Sequence, residues 1–428
     1  MDLRQFVDSL EKKNLLVHVK KEVSVEYELA TVMKMLDGKP IMFEKVKGFG
    51  MPVVANLCST RDLIALGLGT QKDRLVTKLA NAVEKPSPPQ MTDAKDYSEI
   101  EPDLGKIPIL HYYPFDGGKY IASGIVIAHD KEYGINASYH RAMVIGKDKM
   151  VLRILERHFD AFLKRGLKEF AFVIGNPVPV MVSGAISSDL GKSELAIANA
   201  LAPTPVIELG GHTVPVSEIV MLCEMTGELH DEGPFLDLTE TVDIVRKQKV
   251  CRVRKIFVRK NPVFHALLPG GLEHKNLMGM PREPTIYSEV GKVCDVKEVL
   301  VTPGGCSWLH GVMSIRKKNP DDGMKAIEAA FKGHKSMKHV YIVDDDIDIH
   351  NPHEVEWAMA TRFQGDRGIV MKKEKGSSLD PSSDMATGMT TKVGFDCTIP
   401  ISAPSGGGTK NFRRPEMPMK LKAEDYTG

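Results

Sequence analysis

Apolar residues in MDLRQFVDSLEKKN recur at helical spacing with charges in every turn, which predicts an amphipathic helix at the N-terminus. ELATVMKML has the same spacing, whereas KPIMFEKV and MPVVANLC read as short buried strands. From Glu84 to Pro108 the chain is rich in proline and acid without periodicity, so it reads as a linker. Between Ile109 and about Pro303, short β-rich runs recur: SGIVIAH, RAMVIG, AFVIG, VPVMVSG, TPVIEL, EIVMLCE and VCRVRKIFV. Turns with Gly, Pro and Asp separate them, and helical spacing is confined chiefly to MVLRILERHFDAFLKRG and SELAIANAL. Many short strands in one block predict a barrel-like β domain with inserted helices. NPDDGMKAIEAAFKG, HVYIVDDDIDI and HEVEWAMATRF then read helix, strand, helix. From Gly376 onward the Ser-, Gly-, Thr- and Pro-rich sequence reads as loops and a tail. The expected architecture is a mixed α+β and α/β multidomain chain. It has an N-terminal α/β domain over 1–105, a central β-barrel domain over 106–303, and a C-terminal α/β domain with its tail over 304–428.

A length of 428 residues agrees with two or three domains. Lys and Arg number 57 against 56 Asp and Glu, a net charge of +1, which excludes a globally basic nucleic-acid binder. A hydrophobic content of 42% with 26% charged residues belongs to a folded soluble chain. No apolar run reaches the roughly 18 residues of a membrane span. The six cysteines form no CxxC pair, which argues against structural zinc. Scattered thiols and a charged N-terminus unlike an export signal place the protein in the reducing cytoplasm.

Three motifs carry little chemistry. GLGT at Gly67 has Lys72 where a dinucleotide fingerprint needs its third glycine. SGGGT at Ser405 lacks the P-loop lysine pattern and reads as a flexible linker. The VDDDID carboxylates, Asp344 to Asp348, read as helix caps and partners of basic neighbours rather than as a metal site.

The central block holds DGGKYIASGIVIAHDKEYGINASYHRAMVIG, then LERHFDAF, GKSELAIANAL and DEGPFLD. Each piece alone has an ordinary structural reading. Together with PGGCSW and VDDDID, in this order, they resemble the UbiD family of decarboxylases over nearly the whole chain. The resemblance implies a central split β-barrel that binds prenylated FMN, and a Mn²⁺ or Mg²⁺ ion, with K⁺ as an accompanying ion, at the flavin phosphate. It implies Asn136, His158 and Glu194 as metal ligands, and Arg141, Glu232 and Asp237 as catalytic residues. Ser123, Ser138, Tyr139, His140 and Arg157 complete the expected cofactor contacts. The family's phosphate lysine falls on Lys332, with Lys335 and Lys338 as alternatives. A flavin prenyltransferase would supply the cofactor, and the assembly would be a homo-oligomer. The sequence departs from some members in the shorter Asp237, in His140 beside the arginine, and in its length.

The residue chemistry agrees with that set. An amide oxygen, an imidazole nitrogen and one carboxylate suit Mn²⁺ or Mg²⁺ and leave positions for a phosphate oxygen and water. Asn136 and Arg141 are five residues apart, so a regular strand would aim them at opposite faces. Gly233-Pro234 would bend the chain so that Glu232 and Asp237 converge. Decarboxylation leaves an electron pair that no side chain accepts, so a cofactor must carry that step. Arg141 would orient the carboxylate and Glu232 would hold Arg141. Asp237, between walls of Phe235 and Leu236, would be kept protonated to return a proton. The compact single-chain form with its second acid an Asp is most similar to the archaeal branch acting on trans-anhydromevalonate 5-phosphate, which yields isopentenyl phosphate and CO₂. His140, His230, His274 and Lys275 are the groups offered to a substrate phosphate. The rival readings are a hydroxybenzoate-type decarboxylase of the same family, a flavin-binding redox protein on a similar barrel, and a non-catalytic subunit.

Overall fold

The computed structural model describes residues 1–384, 386–401, 412–414 and 419, so the SGGGT segment at Ser405 lies outside the described residues. The chain divides into two compact units. The first contains Met1–Thr285, Val301–His310 and Ser377–Gly388; the second contains Ile286–Leu300, Gly311–Gly376 and Met389–Gly428.

The first unit opens with α1 (Leu3–Lys12), whose Leu3, Phe6 and Leu10 are buried and whose start is fixed by a capping box between Asp2 and Gln5. There follow β1 (Val17–Val19), α2 (Glu28–Met35), β2 (Ile41–Phe43), β3 (Val53–Ala55), α3 (Arg61–Gly67) and α4 (Leu75–Glu84). The centre of the unit is a nine-stranded sheet. Its shorter strands are β4 (Tyr97–Ile100), β5 (Tyr120–Ile121), β6 (Ile125–Asp130), β7 (Gly134–Tyr139), β8 (Ala142–Val144), β9 (Lys149–Leu152) and β10 (Glu169–Ile174). A separate hairpin, β11 (Val206–Leu209) with β12 (His212–Pro215), precedes β13 (Ile219–Glu232). The small pair β14 (Phe235–Leu236) and β15 (Val242–Asp243) leads into β16 (Arg246–Arg259). Sheet order is β5-β8-β9-β16-β13-β10-β6-β7, with β4 also on β16. A further strand, β17 (Phe264–Ala266), joins β1, β2 and β3 in a four-stranded sheet.

The apolar runs explain the centre. Phe170, Phe172, Ile174, Ile219 and Met221 are all completely buried, as expected where both faces of a sheet are covered. Gly124 lies against the Phe172 ring so closely that a Cβ would overlap it, which accounts for a glycine there. The β13–β16 pairing shifts register at Leu222/Cys223 and between Met225 and Leu229. Such bulges bend a strand, and β13 leaves the core as an exposed ribbon before burying Glu232 at its end.

Helices α5 (His158–Lys164) and α7 (Glu194–Leu201) pack against β7, and α6 (Val178–Ser183) packs against α7. The second unit has a five-stranded sheet ordered β18 (Asp295–Val301), β19 (His310–Arg316), β20 (His339–Asp344), β22 (Met389–Cys397), β21 (Ile369–Lys375). Helices Asp322–Gly333 and Pro352–Arg362 belong to it. There Asp344 and Asp346 both pair with Arg362, the structural role expected of VDDDID.

Four segments differ from the sequence expectation. VPVMVSG is helical, because an apolar run buried on every side has no periodicity and Pro179 is accommodated in a first helical turn. Met150–Leu152 of the expected long helix pair as a strand with β8 and β16, so the helix starts only at His158. The expected linker contributes β4 and buries Leu104 and Ile107. The expected tail contains β22, hydrogen-bonded on both sides.

Candidate active site

Arg141 lies two residues beyond β7 and is the centre of a charged cluster. Its Nε donates to Glu232 Oε1 at 2.8 Å and its Nη2 to Glu232 Oε2 at 3.0 Å. Nη1 donates to Asp237 Oδ2 at 2.6 Å, and Nη2 also donates to Asp243 Oδ2 at 2.8 Å. Local geometry makes this convergence. Gly233, at φ +99°, turns the chain out of β13, and the β14–β15 pair returns Asp243 opposite Phe235. Beneath the guanidinium lies the Phe235 ring, 4.7 Å from Cζ to centroid. Tyr120 donates its hydroxyl to Glu232 Oε1 at 3.1 Å and accepts the Gly233 amide at 3.0 Å.

Burial opposes the Arg141 cation, but the Glu232 hydrogen bonds and the charges of Glu232, Asp237 and Asp243 prevail, and its pKa is raised. Arg246 pairs with Asp243, and Arg153 lies within the field of the same groups, its pKa lowered by burial and by Arg246 and Arg141. Three cations thus meet three carboxylates. Glu232 is fully buried while Asp237 retains 19% side-chain exposure, the most of the three acids. Asp237 is held by hydrogen bonds at both oxygens. Oδ2 accepts from Arg141, and Oδ1 accepts from the Leu238 amide at 2.6 Å, so both oxygens act as acceptors here.

A second cluster lies on β7. Asn136 Nδ2 donates to Glu194 Oε2 at 3.1 Å, and the Ala137 amide donates to the same oxygen at 2.8 Å. Ser188 Oγ donates to Glu194 Oε1 at 2.7 Å. Burial raises the pKa of Glu194 against these hydrogen bonds. His140, pushed down to about 4 by burial, is neutral and donates Nδ1–H to the Arg153 carbonyl at 3.0 Å. Its Nε2 is therefore an acceptor, 3.1 Å from the Ser138 hydroxyl. Asn136 Oδ1 lies 3.2 Å from the same hydroxyl, so one Ser138 proton serves two acceptors. A buried amide oxygen left so, beside a carboxylate, fits a divalent cation.

His158 is the first residue of α5, and burial lowers its pKa, as does the charge of Arg157. Among the described residues no hydrogen bond joins its ring to Asn136 or Glu194, and no three His, Cys, Asp or Glu side chains gather as a metal site. The expected set is compatible with that, since one of its three donors is an amide.

Of the other expected cofactor contacts, Ser123 is buried and donates its proton to the His265 carbonyl at 2.6 Å. The Tyr139 hydroxyl is buried without a hydrogen-bond partner among the described residues. Arg157 reaches solvent, and its pKa is lowered by burial. Lys332 belongs to the second unit, where it pairs with Glu289 at 2.7 Å, and Lys335 and Lys338 belong to that unit too. Among the groups offered to a substrate phosphate, His230 is exposed on β13 and Lys275 pairs with Glu240. His274 accepts the Gly270 amide at Nδ1 and feels the charges of Asp237 and Arg141. Tyr120, Asp243, Arg153 and Arg246 were given no role by the sequence reading. The signal lay in DGGKY and in the VDIVR spacing, which sets Asp243 three residues before Arg246.

The chain matches the 3-octaprenyl-4-hydroxybenzoate carboxy-lyase N-terminal domain over residues 7–83, the Rift-related domain over 82–272 and the C-terminal domain over 275–397. It is 42% identical to the anhydromevalonate phosphate decarboxylase of Methanocaldococcus jannaschii, covering 92% of this chain and 96% of that protein. The structure of the UbiD-class enzyme HmfF from Pelotomaculum thermopropionicum in complex with FMN superimposes with a TM-score of 0.94 at 35% identity, over 99% of each chain. An evolved dimeric form of HmfF in complex with prenylated FMN gives 0.89 at 33% identity, again over 99% of each. With all three domains and full-length relatives in agreement, the chain belongs to the UbiD family of decarboxylases.

Proposed function

We propose that this protein is a prenylated-FMN-dependent decarboxylase of trans-anhydromevalonate 5-phosphate, releasing isopentenyl phosphate and CO₂. The observation that carries the reading is the Arg141 fork fixed by Glu232, Asp237 and Asp243. The name of the Methanocaldococcus jannaschii relative supports the substrate, and the flavins bound to HmfF support the cofactor. In this reading the nine-stranded sheet is the split-barrel flavin-binding domain within the expected division at 105 and 303. Asn136, His158 and Glu194 would hold Mn²⁺ or Mg²⁺ at the flavin phosphate, with K⁺ alongside.

Prenylated FMN, when bound, supplies the electron sink that decarboxylation requires. The chain's own residues do the rest. Arg141 is permanently charged, and the N–H that its four carboxylate bonds leave over is the donor offered to the substrate carboxylate. Glu232, buried and bidentate on Arg141, keeps the fork from swinging. The substrate carboxylate adds one negative charge to a cluster of three cations and three anions. Asp237, the most exposed of the three acids, is the one that exchanges with solvent most readily. For Asp237 to donate it to carbon, one of its two accepted hydrogen bonds must open.

A flavin prenyltransferase would supply the cofactor in a reducing cytoplasm, and the protein would assemble as a homo-oligomer. Native mass spectrometry of protein coexpressed with such a prenyltransferase should show a complex carrying prenylated FMN and metal. The loaded enzyme should release CO₂ from anhydromevalonate phosphate. No release from that acid, with turnover of a hydroxybenzoate, would transfer the assignment to an aromatic acid decarboxylase.

A further inference from the structure

Glu240, three residues beyond Asp237, has φ +58°, a left-handed backbone that L side chains rarely adopt. It closes a tight turn around the acid. The Glu240 amide donates to the Asp237 carbonyl at 2.9 Å, and the Asp237 amide donates to the Thr241 carbonyl at 3.0 Å. The Leu238 amide inside this turn is the donor to Asp237 Oδ1. A strained turn persists only where its surroundings over-determine it. Here the Glu240 side chain is what they grip. Lys275 Nζ, on the helix Leu272–Gly279, donates to Glu240 Oε1, and Lys34 Nζ lies 3.8 Å from the same oxygen. Lys275 keeps 12% of its side-chain exposure and Glu240 keeps 45%. The Lys275 hydrogen bond, with its charge, holds the Glu240 carboxyl below the ordinary carboxylate range. Gly270, itself at φ +67°, makes room for this packing. A Cβ there would lie 2.9 Å from Glu240 Cγ and 3.3 Å from the Asp237 carbonyl oxygen. The Gly270 amide donates to His274 Nδ1, and Asp37 accepts the Leu272 amide, so the helix start that carries Lys275 is fixed.

Glycine takes such a φ without strain, so the turn alone does not call for glutamate at position 240. What glutamate adds is a carboxylate on Lys275. We propose that Glu240 and Lys275 form a latch that fixes the turn Asp237–Thr241, Glu240 being a positioning residue for the Asp237 carboxyl group. The latch acts through the backbone and sets where that carboxyl stands between Arg141 Nη1 and the Leu238 amide. The proposal rests on the decarboxylase reading for what Asp237 does, and not for the latch itself.

The test uses the full chain loaded with prenylated FMN, and the variants Glu240→Gln, Lys275→Met and Glu240→Gly. Hydrogen–deuterium exchange read by mass spectrometry reports the latch without any turnover. The amides of Leu238 and Glu240 should exchange about 10-fold faster or more in all three variants, with those of β16 unchanged. A displacement of about 1 Å costs up to roughly 10²-fold in rate, so kcat for CO₂ release should fall about 10–100-fold. KM and flavin content should hold. The solvent deuterium isotope effect on kcat should rise, because a displaced Asp237 makes proton delivery limiting. A smaller folded fraction would lower kcat without moving that ratio. Glu240→Gln/Lys275→Met should be no worse than the more impaired single variant. Should a charge variant fail to fold, Glu240→Gly, with its backbone relaxed, gives the same readouts. Unchanged exchange in the variants, or wild-type kcat and isotope effect in Glu240→Gly, would overturn the latch. A raised KM in Lys275→Met with unchanged exchange would do so too, and would make Lys275 a substrate contact. Wild-type CO₂ release with unchanged exchange would leave the decarboxylase standing. Faster exchange in the variants of a wild type that releases no CO₂ would keep the latch and remove that reading.

Discussion

Arg141→Lys is the most informative single substitution, because it keeps the charge and removes the fork. The arginine makes four hydrogen bonds of 2.6, 2.8, 2.8 and 3.0 Å to three carboxylates. An ammonium on a flexible stem is a point charge and cannot reproduce the bidentate contact with Glu232 while reaching both aspartates. At least two of the four bonds are lost. Hydrogen bonds to charged groups are worth about 1.5–3 kcal/mol each, so the loss is roughly 3–6 kcal/mol before relaxation. The fully buried Glu232 then has Tyr120 as its remaining side-chain donor, which adds to the penalty. Relaxation of the more exposed Asp237 offsets part of it, so about 3 kcal/mol is expected in urea unfolding. A double-mutant cycle with Glu232→Gln isolates the contact, and the double variant should be destabilised by clearly less than the sum of the singles. The substrate carboxylate loses its planar partner too, so kcat/KM should fall along with stability. A loss below about 1 kcal/mol, or strictly additive effects in the cycle, would refute the reasoning that the fork organises the cluster.

Asp237→Asn keeps side-chain size and removes the transferable proton, so turnover should fall about 10²–10⁴-fold; near wild-type turnover with full cofactor would place the proton elsewhere. His158→Ala and Glu194→Ala should each strip metal and flavin together, read by elemental analysis and absorbance, and stoichiometric Mn²⁺ in either variant would remove that residue from the ligand set. His140 has a folded pKa of about 4 against an ordinary 6.5, so between these values the unfolded chain takes up a proton that the folded chain does not. Its contribution is complete above pH 6.5 and is lost as pH falls toward 4, by up to about 3 kcal/mol. Urea midpoints of wild type and His140→Asn should therefore converge on acidification, and parallel pH profiles would contradict a neutral buried imidazole.

The parts of the fold that were legible have a period. Leu3, Phe6 and Leu10 announce α1, and the β-rich run of β16 announces the centre of the sheet. What was misread lacks a period or has its partners far away. VPVMVSG is apolar at nearly every position and buried throughout, so strand and helix cannot be told apart from spacing. Tyr97–Ile100 sits among prolines and acids, and it becomes a strand only because β16, about 160 residues later, presents an edge. Met389–Cys397 buries Thr390, Lys392 and Gly394 and leaves Thr391 exposed, so its alternation is not the apolar-in, polar-out pattern by which a half-buried strand is read.

The site divides in the same way. Asn136, Arg141, Glu194, Glu232 and Asp237 could be singled out because each stands in a short motif, and their joint order was far more specific than any one. The two hydrogen-bonded groups they form rest on non-local placement: the Asn136–Glu194 bond spans 58 positions and the Arg141–Glu232 pair spans 91. Asp243 escaped notice because the Asp–Arg spacing within VDIVR also suits an exposed ion pair, whereas the β14–β15 pairing turns Asp243 inward. This omission alters the chemistry. With only Glu232 and Asp237 on Arg141, two acids would face one cation. With Asp243, Arg153 and Arg246 included, the charges balance in the free protein, and Asp237 accepts on both oxygens. A carboxylate that reaches Arg141 must therefore share its N–H groups with three acids, not two.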